Sequence, residues 1–110
     1  MKKLMTFAAL IAMAVSSFAA ETWTNVPIVD TSCAAKAKAN PDAHTRACAL
    51  QCEKGGYGIV TSDGSYLKFD AAGNAKASAA LKQSKQTDHL RVTVTGERDG
   101  DNLKVSSLKM

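Results

Sequence analysis

Aromatic residues are scarce in this chain: one Trp, two Tyr and three Phe among 110 residues. Proteins that hold single-stranded nucleic acid stack bases on aromatic side chains, so little is present here to build such a platform. Proline occurs only twice, at Pro27 and Pro41, so each is informative by position. No block of like charges stands out, and the basic residues are spread along the chain. No apolar run reaches the roughly 20 residues that a membrane-spanning helix needs. A nucleophile elbow, a phosphate-binding glycine loop, an HExxH pair and a calcium-loop pattern are all missing. These absences point away from an enzyme and towards a binding module.

What is present begins with an export signal. Lys2 and Lys3 form a positive start, Leu4 to Val15 is apolar and uncharged, and Ser17-Phe18-Ala19 has the small-x-small form that a signal peptidase reads. The expectation is a cleavable leader over 1–19, a single domain over 20–110, and a periplasmic or secreted location. Losing Lys2 and Lys3 lowers the formal net charge of +4 by two. The remaining mixed-sign surface, together with export, argues against nucleic acid as a partner. A small ligand or another envelope protein is the expected partner, with no membrane span in the mature chain. The oligomeric expectation is a monomer or weak dimer, because no exposed apolar stripe calls for a partner.

All three cysteines, Cys33, Cys48 and Cys52, lie beyond the leader. In an oxidising compartment a disulfide is the default, and an odd number leaves one thiol over.

The element pattern reads β-α-β-β-α-β-β. Trp23 to Val29 predicts a first strand, with Pro27 marking an edge or bulge. Asn40-Pro41-Asp42 predicts a helix start, with Asn40 as cap, and the helix is expected to run to about Lys54 before Gly55-Gly56 stops it. Tyr57 to Thr61 and Tyr66 to Phe69 predict strands joined by a turn in which Asp63 and Gly64 both take positive φ. Ala71-Ala72-Gly73-Asn74 reads as a break, and Lys76 to Ser84 as a helix with Asn74 as a candidate cap. His89 to Thr95 alternates, with Leu90, Val92 and Val94 on one face. A turn around Arg98-Asp99-Gly100-Asp101 leads into a last strand at Leu103 to Val105. Period two in every strand implies one buried and one wet face. Five short strands with a helix between the third and fourth match a small OB-like five-stranded barrel carrying an extra helix after strand one. The alternative architecture is an open antiparallel sheet with both helices on one face.

Three stretches carry a resemblance to a known group: "IVDTSC" at the end of the first strand, "TRACALQC" with its Cys-x3-Cys spacing, and "LRVTVTG…DGDNLKVSSL" near the C-terminus. Over nearly the whole mature region the chain resembles small secreted bacterial OB-fold-like proteins. That group has no established activity, so the resemblance implies fold and compartment rather than mechanism.

The chemistry-bearing stretch is "HTRACALQC". On one continuous helix, His44, Cys48 and Cys52 would lie along a stripe that turns ~40° and rises ~6 Å per step. A single ion held by all three is strained, because His44 and Cys52 would sit ~12 Å apart along the axis. Cys48 and Cys52, with Cys33 as third ligand and His44 assisting, could hold copper or zinc. The competing reading is a bridge from Cys33 to Cys48 or to Cys52. The first closes a loop of about 15 residues, worth on the order of 3 kcal/mol. A Cys48–Cys52 bridge would stabilise little and would be redox-active instead. His44 by itself reads as a solvated first-turn residue. His89 is assigned no role. Tyr66 and Lys68, on the outer face of their strand, are the candidate contacts for a ligand on the barrel surface.

Overall fold

The computed structural model describes residues 20–110, so the expected leader lies outside the described residues. Five strands, β1 (Glu21–Asp30), β2 (Tyr57–Val60), β3 (Tyr66–Phe69), β4 (Arg91–Asp99) and β5 (Asn102–Lys109), close into a barrel in the order β1-β2-β3-β5-β4. All neighbours are antiparallel except β3 and β5, whose short parallel pairing of Lys68 with Asn102 and Phe69 with Leu103 closes the barrel. This is the OB-like arrangement, and the open-sheet alternative is set aside. Closure removes the free strand edges that would otherwise invite pairing with another chain.

The alternation expected for β4 holds: Leu90, Val92 and Val94 all point into the core. They meet Ile28, Ile59, Leu67, Phe69, Leu103 and Val105 inside the barrel, closed at one end by Ala77 and Leu81. Strand β2 breaks the period-two expectation, because all four of its residues are buried. The cause is the segment between β1 and β2, which packs on the barrel's outer face. There Val29 and Val60 meet Ala34 and Ala37 in a second small core, flanked by Tyr66.

Helix α3 (Ala71–Gln83) is longer than the sequence suggests. Its cap is Asp70, whose Oδ1 accepts the Gly73 N–H at 2.9 Å and the Val105 N–H at 3.2 Å. The Ala71 to Asn74 stretch is thus the first turn of the helix. Gly73 serves close packing, since a Cβ there would fall 2.5 Å from Val105 Cγ2. Asn74 lies inside the helix and accepts the Tyr57 N–H at 2.9 Å, tying α3 to the start of β2. Its amide also fills the space beside Gly56, whose φ of 82° suits glycine.

The turn between β2 and β3 also differs in detail. Gly64 has φ of 83°, but Asp63 does not share it. Asp63 instead accepts bonds from the Thr61 hydroxyl and the Ser65 N–H. In β1 the expected irregularity falls between Trp23 and Val26, where Asn25 adopts φ of 53° just ahead of Pro27.

The helix expected over 40–54 is the largest departure. Pro41–Ala43 forms a single 3-10 turn, His44 is extended, and α2 begins only at Arg46 and ends at Gln51. Asn40 makes no side-chain cap. Thr45 is the cap, its Oγ1 accepting the Cys48 N–H at 3.2 Å. Tertiary hydrogen bonds select this break: the Arg46 N–H reaches Thr87 O at 2.8 Å, and the His89 N–H reaches Asp42 O at 3.1 Å. A short helix α1 (Ala34–Ala37) precedes it.

Candidate metal centre

Strand β1 ends at Asp30, whose Oδ2 accepts the Cys33 N–H at 3.0 Å and so caps the 3-10 turn Thr31–Cys33. That cap aims the carboxylate and Cys33 at the same point. Although charged in type, Asp30 is 0% exposed. Its other oxygen, Oδ1, lies 2.7 Å from His44 Nε2. The approach is off the hydrogen-bond line, so neither atom makes a hydrogen bond among the described residues. Buried polar atoms are nearly always satisfied, and a half-satisfied buried carboxylate is costly.

Cys52, the residue closing α2, completes the group. One ligand atom each from Asp30, Cys33 and Cys52 lie within 4.8 Å of one another. Cys52 is held on both sides: its N–H donates to Cys48 O at 3.2 Å, and the following Glu53 is pinned to α3. Glu53 accepts from the Ser78 hydroxyl and from Lys82 Nζ at 3.3 Å. The Ser78 bond first, and Lys82 second, hold its carboxyl below the ordinary value.

The cysteines divide by position on α2. Ala49 is buried and faces the core, Cys48 is exposed, and Cys52 is half-buried. With 100° per residue, Cys52 stands ~60° from Ala49 and ~40° from Cys48, which explains its intermediate burial. All three thiols are free. Burial first, then the Asp30 carboxylate, pushes the Cys33 thiol up from its ordinary value. The same surroundings, burial above all, push the Tyr57 phenol up to about 12.

Of the expected set, the structure brings Cys33 and Cys52 together and places His44 beside them through Asp30. The helical stripe is corrected: His44 precedes α2 in extended backbone, so it does not stand above Cys48 and Cys52. Nor is it a solvated first-turn residue, since it is 9% exposed. Asp30 is the participant that cysteine and histidine spacing does not single out. Its only sequence signal is an acid terminating the apolar run Val26 to Val29, three residues before a cysteine. Cys33, His44 and the first helical pieces also line a shallow pocket of about 280 Å³.

Tyr66 and Lys68 border a separate hollow of about 460 Å³ with Thr31 and Lys38. The Tyr66 phenol donates to Val29 O at 3.2 Å and lies 3.1 Å from Thr31 Oγ1. Its ring also covers Gly58, where a Cβ would come within 2.6 Å of the ring. Tyr66 is therefore tied into the second core, and of the expected pair Lys68 is the exposed one, beside the exposed Lys38, Asp101 and Asn102 at the same rim.

No family model, curated protein or solved structure matches this chain.

Proposed function

We propose that this protein is a small exported binding module that holds a zinc ion at Asp30, Cys33 and Cys52, with His44 as fourth ligand or as orienting partner of the carboxylate. The observation that carries the reading is the buried Asp30 Oδ1 facing His44 Nε2, with neither atom hydrogen-bonded, beside two free thiols. A cation at this point would neutralise the buried carboxylate and replace the poorly aligned 2.7 Å contact between Asp30 Oδ1 and His44 Nε2 with metal–ligand bonds. Two thiolates, one carboxylate and one imidazole form the mixed sulfur, oxygen and nitrogen set that zinc accepts in tetrahedral sites. Copper(I) prefers softer donors and gains less from the carboxylate.

The test is zinc titration of the reduced, metal-free protein, followed by calorimetry and by thermal unfolding. One bound ion per chain and a rise in Tm are expected, because a ligand that binds only the folded state stabilises it. Cys52→Ser should abolish both while leaving the circular dichroism of the barrel intact. Wild-type protein that takes up no zinc with its thiols reduced would sink the proposal.

The closeness of Cys33 and Cys52 favours a second reading, in which a bridge between them staples the helical segment to β1. Intact mass with alkylation before reduction separates the two. One bridge and one labelled thiol support the staple, and three labelled thiols support the metal centre.

A further inference from the structure

The buried centre raises the question of how an ion reaches it. Asp30 is 0% exposed and His44 9% exposed, so a cation arriving from solvent meets the half-buried thiols Cys33 and Cys52 first. One route leads through the shallow pocket beside Cys33 and His44, but Lys36 lines it, and its ammonium opposes a divalent cation. The other route runs along α2, where Cys48 is the exposed thiol. Cys48 stands one helical turn before Cys52, joined to it by the 3.2 Å backbone bond from Cys52 N–H to Cys48 O. The Cys52 thiol belongs to the group with Asp30 and Cys33, and Cys48 lies one turn back on the helix that Cys52 closes. Two cysteines one turn apart on a helix can hold one ion between them.

Resting on the zinc reading above, we infer that Cys48 is the entry ligand of the centre: it captures the ion together with Cys52 and then gives it up to Cys33 and Asp30. In the first step Cys48 and Cys52 each release a proton to solvent as their thiolates replace two ligands of the incoming ion. In the second step Cys33 releases its proton and displaces one of the ion's remaining solvent ligands, Cys48 leaves and is reprotonated, and an Asp30 carboxylate oxygen takes the position Cys48 vacates. No electrons move. Cys52 stays on the ion throughout, which fits its place between the exposed and the buried thiol. The role assigned to Cys48 is kinetic. It explains an exposed cysteine that the resident site does not use and that a staple from Cys33 to Cys52 would leave over.

The experiment follows zinc transfer from a coloured chelator, 4-(2-pyridylazo)resorcinol, to reduced full-length protein by stopped flow, alongside equilibrium competition with the same chelator. For Cys48→Ser the transfer rate should fall by roughly tenfold or more while the equilibrium affinity changes by less than about threefold. Cys33→Ser should show the reverse pattern, with early capture retained and final affinity lost. If Cys48→Ser lowers affinity as much as rate, Cys48 is a resident ligand and the inference is overturned. If it changes neither, entry runs through the pocket beside Lys36 and the inference is again overturned, with the zinc centre itself left standing. Wild-type protein that draws no zinc from the chelator or from free zinc salt overturns both.

Discussion

Asp30 shows how much one residue's surroundings decide. By type it belongs on the surface, yet it terminates β1 inside the fold, capping the turn that carries Cys33. If its Oδ1 were satisfied by protein alone, Asp30→Asn would cost little beyond the cap. Under the metal reading the same change keeps the shape, keeps a cap acceptor, and lowers zinc affinity by at least tenfold, measured by chelator competition. Tyr57 supplies a second residue-scale test. Its phenol donates to Ala49 O at 2.9 Å from a fully buried position, and its titration is pushed up to about 12. The Tyr66 phenol is likewise pushed up to about 12 by burial. An acid whose folded pKa is raised favours the folded state while it stays neutral. That contribution is complete below the unfolded value near 10 and is lost as pH rises towards about 12. Absorbance at the tyrosinate band should therefore show no folded-state ionisation near pH ~10. Denaturant midpoints should fall between roughly pH 10 and 12, and less steeply in Tyr57→Phe.

At the scale of elements, helix ends decide more than helix interiors. The stretch from Asn40 offers two caps, Asn40 and Thr45, five residues apart. Local preference favours Asn-Pro-Asp as the start. The bonds from Arg46 to Thr87 and from His89 to Asp42 instead place the start at Thr45, and this leaves His44 free to turn inward to Asp30. Thr45→Ala should cost about 1 kcal/mol in urea unfolding. It should also loosen α2, seen as faster amide exchange at Cys48 and Ala49. Helix α3 repeats the theme at Gly73. A methyl group there would enter the space of Val105 and Phe69, so Gly73→Ala should destabilise by about 1–3 kcal/mol despite alanine's better helix propensity. A neutral or stabilising outcome would mean that α3 can lift from β5.

For the molecule as a whole, a described region of about 90 residues buries only a modest core, and such small domains often need a staple or a metal. The barrel interior and the small outer core meet across β1 and β2, and the candidate centre lies where both meet the helical segment. Zinc bound there would tie β1 to α2 and should protect that segment most. Limited proteolysis around 34–56 should slow on adding zinc, whereas cleavage at the tip between β4 and β5 should not change.

Period-two alternation, the turn residues and the spacing of five short strands were enough to place the strands and to favour a barrel, because side-chain alternation is a local property; closure itself, through the β3–β5 pairing, was decided by the tertiary structure. The same local patterns placed Cys48 and Cys52 on the helical segment after the first strand, with Cys33 just ahead of it. Where α2 starts, which thiol is buried and which exposed, and that Asp30 and His44 face each other were decided only in the tertiary structure. Those outcomes depend on hydrogen bonds from the 84–90 loop to the 40–46 segment and on the outer face of β1 being covered by α1. The hydrogen bonds join residues far apart in the chain, so no local pattern encodes them; the cover by α1 is close in sequence but depends on how the chain turns after Asp30.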